Sequence, residues 1–404
     1  MHEKCILSVN LPAYKEGRNI YNALCACTIG QKDIVGNPLD PDLFEINILL
    51  NRPNEQVPYD MQTENEVRRF QSDHPKYHVH LAKKTFAFAD KPIMGMIYKT
   101  VADLAIYRNL SRSDSMEKGR LILRTGGADA REKNPIFFAN IIENFLQDPH
   151  VQVYKSESRQ PRMALEKVPL FHVLSTLESG LNRIYTRGRS NIGLGSYSAE
   201  VYALAGGFNP DASIAEEIDL SRRIAHRVAL NPKDFRTHKN LVKNAIDDPR
   251  RALFALFEGI GMARKYDNFG NVELENNLKS FHWEQAIMRD IPVHIQFTPE
   301  NLSREVSVYY RQYLTRVQGG SQALKQFKLT NPTREELRQK IYEITDGIFE
   351  TMFLHMGIPR ESLSFVQRTR ENPAHIVFHD INKLAELINK RTFPGHEVFE
   401  KSEN

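Results

Sequence analysis

Residues 121–135, LILRTGGADAREKNP, decide how the rest of the chain is read. Leu121, Ile122 and Leu123 form an apolar run of strand length, and Gly126-Gly127 ends it sharply. Asp129 follows at the strand's exit, and residues 136–146 (IFFANIIENFL) have the spacing of an amphipathic helix. Ligands of open α/β sheets bind outside the carboxyl ends of the strands. A carboxylate delivered there by a glycine turn is placed to hold a divalent cation, because hard cations take oxygen ligands. Taken alone, Asp129 reads more simply as a turn aspartate bonded to its own backbone. The flanking segments have to decide.

Working outward, residues 5–11 (CILSVNL) read as a buried strand. The chain then turns at Pro12 and Gly17, and Ile20, Leu24 and Cys27 keep helical spacing. Residues 44–50 (FEINILL) are a second strand, and 77–81 (YHVHL) alternate like a third. Residues 93–110 are helical, with Ile97, Val101, Leu104 and Ala105 on one face, and 151–154 (VQVY) form another short strand. Strands alternating with helices predict an α/β fold, a Rossmann-like and mainly parallel sheet with helices on both faces. No G-x-G-x-x-G follows the first strand and no G-x-x-x-x-G-K-[ST] occurs, which argues against dinucleotide and P-loop sites.

Residues 156–190 are polar and mixed, with a loop expected around 156–162. Residues 193–209 are glycine-rich around a helical half-turn. Residues 212–228 read as a helix with Ser213 as N-cap and Glu216 as its capping-box partner. A proline-initiated helix is expected over 249–259. A longer one is expected over 333–355, with Leu337, Ile341, Ile344, Ile348 and Met352 as its stripe. The tail after Pro394 is expected to fray.

The 404 residues suit one large domain with a smaller one. With 54 basic and 50 acidic side chains, no basic run is long enough for a nucleic-acid stripe. No apolar run approaches the ~20 residues of a membrane span, and residues 1–14 lack a secretory h-region, so a cytoplasmic location is expected. Cys5, Cys25 and Cys27, odd in number and clustered, suit reduced structural thiols better than a disulfide framework or a four-ligand zinc site.

Four segments, in order, resemble the motifs of family 2 glycosyltransferases of the GT-A fold. NLPAYKEGRNIYNAL (10–24) resembles the family's opening strand–P-A-Y-N-E–helix block. GGADAR (126–131) stands where the family carries its D-x-D metal motif. SNIGLGSYSAEVYALAGGFN (190–209) is similar to the acceptor-side segment ending in G-G-F, and AEEIDLSRRI (215–224) resembles the E-D-x-x-L-x-x-R helix. DDPRRAL (247–253) is a weaker fifth match. Together they cover residues 4–255, leaving 256–404 as a mostly helical C-terminal extension without a motif.

The resemblance implies transfer of a sugar from a nucleotide-diphosphate donor, UDP-linked, to an acceptor hydroxyl with inversion. The acceptor, a glycan, lipid or small molecule, is not specified. It also implies a divalent cation, Mn²⁺ or Mg²⁺, at Asp129. Pro12, Ala13 and Tyr14 would line the base, with Glu16 and Asn51 as further nucleotide contacts. Lys99, Arg131, Arg250 and Arg251 are phosphate candidates. Glu217 is the expected general base, Glu216 its partner, and Asp219 ranks third. Arg222 and Arg223 face either the diphosphate or these acids, and His238 is a weaker candidate for the metal shell. Gly127 departs from the family at the first acidic position, where glycine offers no ligand. One carboxylate with diphosphate oxygens and water can still hold the ion. Two rivals remain: a non-catalytic nucleotide-sugar-binding module, and a nucleotidyltransferase on a similar sheet. Peripheral membrane contact and self-association are compatible with the sequence.

Overall fold

The structure, a computed structural model, describes residues 5–87, 94–111, 120–127, 131–132, 134–185, 195–212, 216–230, 236–246, 248–265, 271–319, 333–356, 358, 360–365, 376–380, 382 and 384. The chain packs as two units. One holds the described residues of Met1–Arg159 and Ser190–Asp248, the other those of Gln160–Arg189 and Pro249–His396. The units are not consecutive in sequence: the described residues of 160–185 and 249–255 belong to the second.

In the first unit the strands are β1 (Leu7–Ala13), β2 (Phe44–Arg52), β3 (Val79–Thr85), β4 (Ile122–Thr125), β5 (Arg131–Glu132), β6 (Val151–Arg159), β7 (Ser196–Ser198) and β8 (Arg236–Ile246). They form one sheet in the order β3-β2-β1-β4-β7-β6-β8-β5. β3, β2, β1 and β4 are mutually parallel, as are β6 and β8, whereas β7 runs antiparallel to both β4 and β6. The mainly parallel, helix-flanked sheet expected from the sequence is the one observed.

β1 is buried throughout because neighbours cover both its edges and both its faces. Leu7, Val9 and Leu11 pack with Ile20 and Leu24 of α1 (Asn19–Cys27), with Val67 and Phe70 of α2 (Met61–Asp73) and with the inward side of α4 (Phe137–Gln147). That side of α4 buries Phe137, Phe138, Ile141, Ile142 and Phe145, each contributing roughly 1.5–3 kcal/mol relative to exposure. α2 is not apparent in the sequence. Its inward stripe is only Thr63, Val67 and Phe70, and it starts because Asp60 accepts from the backbone N–H of Gln62 and Thr63.

The opposite face of the sheet lies under α3 (Met94–Leu110) and is polar where β1 and β2 begin. Ser8 Oγ donates to Glu45 Oε1 at 3.1 Å, and Asn47 Nδ2 donates to the same oxygen at 2.9 Å. His80 Nε2 and Arg108 Nε stand 3.6 and 3.7 Å from Glu45 Oε2. Burial, then the charges of Arg108 and His78, hold the His80 imidazole down to about 4, and burial pushes the Glu45 carboxyl up. A histidine depressed from 6.5 contributes stability present above pH 6.5 and lost as the pH falls toward 4, up to ~3 kcal/mol. Glu45, raised instead, acts in the opposite sense. Denaturant titrations at pH 7 and pH 4.5 should show the wild type losing more stability on acidification than His80→Asn; equal losses would contradict this account.

In the second unit the expected loop around 156–162 is absent. β6 runs to Arg159 and two helices follow directly, α5 (Arg162–Lys167) and α6 (Pro169–Tyr185). Leu170, Phe171, Leu174 and Leu177 of α6 are fully buried, which outweighs the mixed composition. α7 (Ala199–Leu204) and α8 (Glu216–Leu230) belong to the first unit, and α9 (Arg250–Phe257) opens the second stretch of the second. There follow α10 (Val272–Ser280), α11 (Trp283–Arg289), α12 (Pro299–Gly319), α13 (Arg334–His355) and a hairpin of β9 (Leu363–Phe365) and β10 (Ile376–Phe378). α13 has the Thr333–Glu336 capping box. Its buried stripe is Ile341, Thr345, Phe349 and Phe353, turned from the expected one because the two phenylalanines fill the core. Among the described residues no helix is long and apolar enough to cross a membrane.

Candidate functional site

The carboxyl ends of β1, β2 and β4 lie along one edge of the sheet, and the sequence-predicted residues of the first block gather there. Pro12 and Ala13 are buried at the end of β1, level with Leu49 and Leu50 of β2. Asn51 Nδ2 donates to the carbonyl of Ala13 at 2.9 Å, tying the two strand ends together. Beyond Ala13 the chain turns through Lys15 (φ 54°) and Gly17 (φ 53°). A non-glycine residue in this left-handed region carries strain of about 1 kcal/mol or more. The turn is braced by α2, where Thr63 Oγ1 accepts from the Gly17 N–H at 2.8 Å. Tyr14 is half-buried with the Lys15 ammonium 5.3 Å from its ring centroid. Glu16 is buried, and its carbonyl accepts from the Asn19 N–H at the start of α1.

β4 ends one strand over. Thr125 is level with Asn10, and the Gly126 N–H continues the ladder to the Asn10 carbonyl at 3.2 Å. Asp129 lies outside the described residues, so the metal position expected there is not part of this geometry. Arg131 is described only as backbone, in β5 beside β8, and His238 likewise within β8.

The acidic helix α8 is described from Glu216 onward, with its expected cap Ser213 outside the described residues. Glu216 is buried, and burial pushes its carboxyl above the ordinary range. Asp219 is engaged by Arg223 at 2.8 Å, and Arg223 also donates to the carbonyl of Ala205 at the end of α7. Glu217, half-buried, acts elsewhere: its charge is among the influences that raise the Tyr197 phenol, after burial itself. Tyr197 sits at the centre of β7, and its hydroxyl is 2.5 Å from Thr125 Oγ1.

Further groups fasten this arrangement. The Tyr197 ring stacks on Tyr202 with centroids 5.7 Å apart and planes 13° from parallel. Tyr202 donates to Asp103 Oδ1 at 3.0 Å, and Asp103 Oδ2 pairs with Lys99 at 2.9 Å on α3. Lys99, a phosphate candidate by sequence, is thus already paired, close to the turn through Gly206 and Gly207 at φ 79° and 70°. Arg250 and Arg251 open α9 of the second unit, where Arg250 is buried. Sequence reading passed over Thr125, Tyr197, Tyr202 and Asp103. Only Asp103 had a local signal, four residues from Lys99 on a predicted helix.

Among the described residues there is no group of three or more His, Cys, Asp or Glu side chains that could hold a metal ion. No family model matches the chain, and no protein of curated function matches it. It is similar to a solved mannosyltransferase from Pyrobaculum calidifontis in complex with GDP-Man and Mn²⁺, at 14% identity and a TM-score of 0.42 over 89% of this chain and 84% of that one. It is similar to glucosyl-3-phosphoglycerate synthase from Mycobacterium tuberculosis with Mn²⁺, UDP and glucosyl-3-phosphoglycerate, at 18% identity and 0.34 over 66% and 81%. Mouse xyloside xylosyltransferase 1 in its apo form aligns at 9% identity and 0.29 over 58% and 84%. These likenesses assign no residue a role.

Proposed function

We propose that the chain is a metal-dependent glycosyltransferase resembling family 2 of the GT-A fold, moving a sugar from a nucleotide-diphosphate donor, UDP-linked, to an acceptor hydroxyl with inversion. The observation that supports this reading is the carboxyl edge of the parallel sheet, where Pro12, Ala13 and Asn51 stand at the ends of β1 and β2 and Thr125 at the exit of β4. That exit leads directly into Gly126, Gly127 and Asp129.

In this reading Tyr14, Glu16 and Asn51 hold the nucleoside at the ends of β1 and β2, with Pro12 and Ala13 as the floor. Glu217 takes the proton from the acceptor hydroxyl as that oxygen bonds the anomeric carbon. The bond from that carbon to the diphosphate oxygen breaks, and the nucleoside diphosphate leaves. Glu216, buried with a raised carboxyl, serves as neighbour to the base, and Asp219 as the anchor of Arg223. A divalent cation held by Asp129 would supply Lewis-acid stabilisation of the leaving diphosphate. Lys99, Arg131, Arg250 and Arg251 remain phosphate candidates, and residues 256–404 are assigned as an extension to the catalytic part at 1–255.

The test is a thermal-shift and donor-hydrolysis screen of UDP-, GDP- and dTDP-sugars with and without Mn²⁺, on the wild type and Asp129→Ala. Stabilisation by one nucleotide sugar that needs Mn²⁺, is lost in the variant and accompanies slow donor hydrolysis is the expected result. No response to any donor would overturn the reading. Binding indifferent to both Mn²⁺ and the substitution would leave a non-catalytic nucleotide-sugar module.

A further inference from the structure

We infer that His80 is a proton-operated switch on the amino side of the sheet: once protonated, it takes the Glu45 carboxylate over from Arg108 and releases the last turn of α3. The inference stands apart from the transferase reading, since these groups lie where β1 and β2 begin and not where they end.

Several elements converge on one carboxylate. Glu45, on β2, is fully buried. Its Oε1 accepts from Ser8 Oγ of β1 and from Asn47 Nδ2. Its Oε2 faces two nitrogens at nearly equal range, His80 Nε2 of β3 at 3.6 Å and Arg108 Nε of α3 at 3.7 Å. Both nitrogens are buried, and neither makes a hydrogen bond among the described residues. One oxygen therefore stands between a permanent cation and a switchable one. Cys5, before β1, is a thiol kept protonated by burial and by the charge of Glu45. His78, whose charge also acts on Glu45, is engaged by Asp42 at 3.1 Å.

The charge count decides which contact holds. With His80 neutral, the carboxylate and the Arg108 guanidinium balance. A proton on His80 adds a second positive charge beside a single carboxylate, in a place where like charges are poorly screened. Glu45 is fixed by its burial and its two bonds, and His80 sits on a strand paired along its length with β2. Arg108 is the member that can leave. It lies in the last turn of α3, where Tyr107 and Leu110 are 69% and 55% exposed.

Linkage gives the direction. Burial and then Arg108 hold the His80 imidazole down to about 4, so departure of Arg108 brings it back toward 6.5, and proton uptake favours that departure. Glu45 works in the same sense. Burial raises its carboxyl, while Asn47 and then Arg108 lower it, so losing Arg108 makes Glu45 easier to protonate.

The test is amide hydrogen exchange followed by mass spectrometry at pH 7 and pH 4.5, corrected for the intrinsic rate. In the wild type, protection of residues 105–110 should fall about tenfold or more on acidification while the amides of β1 keep theirs. His80→Asn, which cannot take the proton, should keep 105–110 protected at both pH values, and His78→Asn should retain the wild-type response. Arg108→Gln, with no charge to displace, should show the weaker protection already at pH 7. Unchanged protection of 105–110 in the wild type at pH 4.5 would overturn the inference, as would a response that survives His80→Asn or is abolished by His78→Asn. An equal loss of protection throughout β1 would overturn it too, since the whole unit would then be unfolding.

Discussion

Glu217→Gln is expected to lower kcat by ~10²–10⁴-fold while leaving donor affinity within a few-fold, because the amide keeps the size of the side chain and cannot take a proton. The three acids of the first turn of α8 should separate cleanly. Glu216 is buried with its carboxyl raised by desolvation, a state that favours the neutral form and suits a supporting role. Asp219 is committed to Arg223 at 2.8 Å, so Asp219→Asn should loosen the α7–α8 contact and leave the chemistry largely in place. Glu217 alone among them is an influence, after burial, on the raised Tyr197 phenol. Steady-state kinetics on the three variants, with donor binding followed by calorimetry, decide the matter. If Asp219→Asn costs more turnover than Glu217→Gln, the assignment of the base is wrong.

Gly95→Ala is expected to destabilise the first unit by ~3 kcal/mol or more, lowering Tm by about 6–12 °C. A Cβ on Gly95 would sit 1.9 Å from the carbonyl oxygen of Asn209 and 3.1 Å from that of Ala212. Both are backbone atoms, and the Gly95 N–H itself donates to the Ala212 carbonyl at 2.9 Å. No side chain can rotate away to make room, so α3 or the 209–212 segment has to move. That segment lies just before α8 in sequence, so turnover should fall along with stability. Gly126→Ala is the control: its nearest neighbour would be Leu11 Cδ2 at 3.6 Å, an ordinary contact, and a change within about 0.5 kcal/mol is expected. Thermal unfolding of both variants measures the difference. Similar Tm values for Gly95→Ala and the wild type would mean that the close approach of α3 to this segment is not as described.

The two results bear on different parts of the same design. Gly95 is a requirement of packing, recognisable only when the 209–212 backbone is seen against α3. Glu217 is proposed as a requirement of chemistry, on the acidic helix that the sequence marks. Between them stands the chain of Thr125, Tyr197, Tyr202, Asp103 and Lys99, which fastens β4, β7, α7 and α3 to one another.

Local sequence was sufficient for β1, β2, β4, α1, α4, the proline-led start of α9 and the existence of α13, since each follows from contacts within a few residues along the chain. The carboxyl-edge placement of Tyr14, Glu16 and Asn51 followed as well, because parallel strands with intervening helices put their ends on one side. Other features depended on partners far away in sequence. β7 is too short for any periodicity and exists because β4 and β6 hold it from both sides. α2 is polar except for Thr63, Val67 and Phe70, and its place is set by the sheet it covers. Residues 160–185 look mixed in composition and become helical by filling a core whose other walls come after residue 249. Tyr197 meets the end of β4 at Thr125 only because the antiparallel insertion of β7 brings it alongside. Periodicity records what each segment does with its own neighbours, whereas a site is made where segments meet, and that depends on pairing and packing across the whole chain.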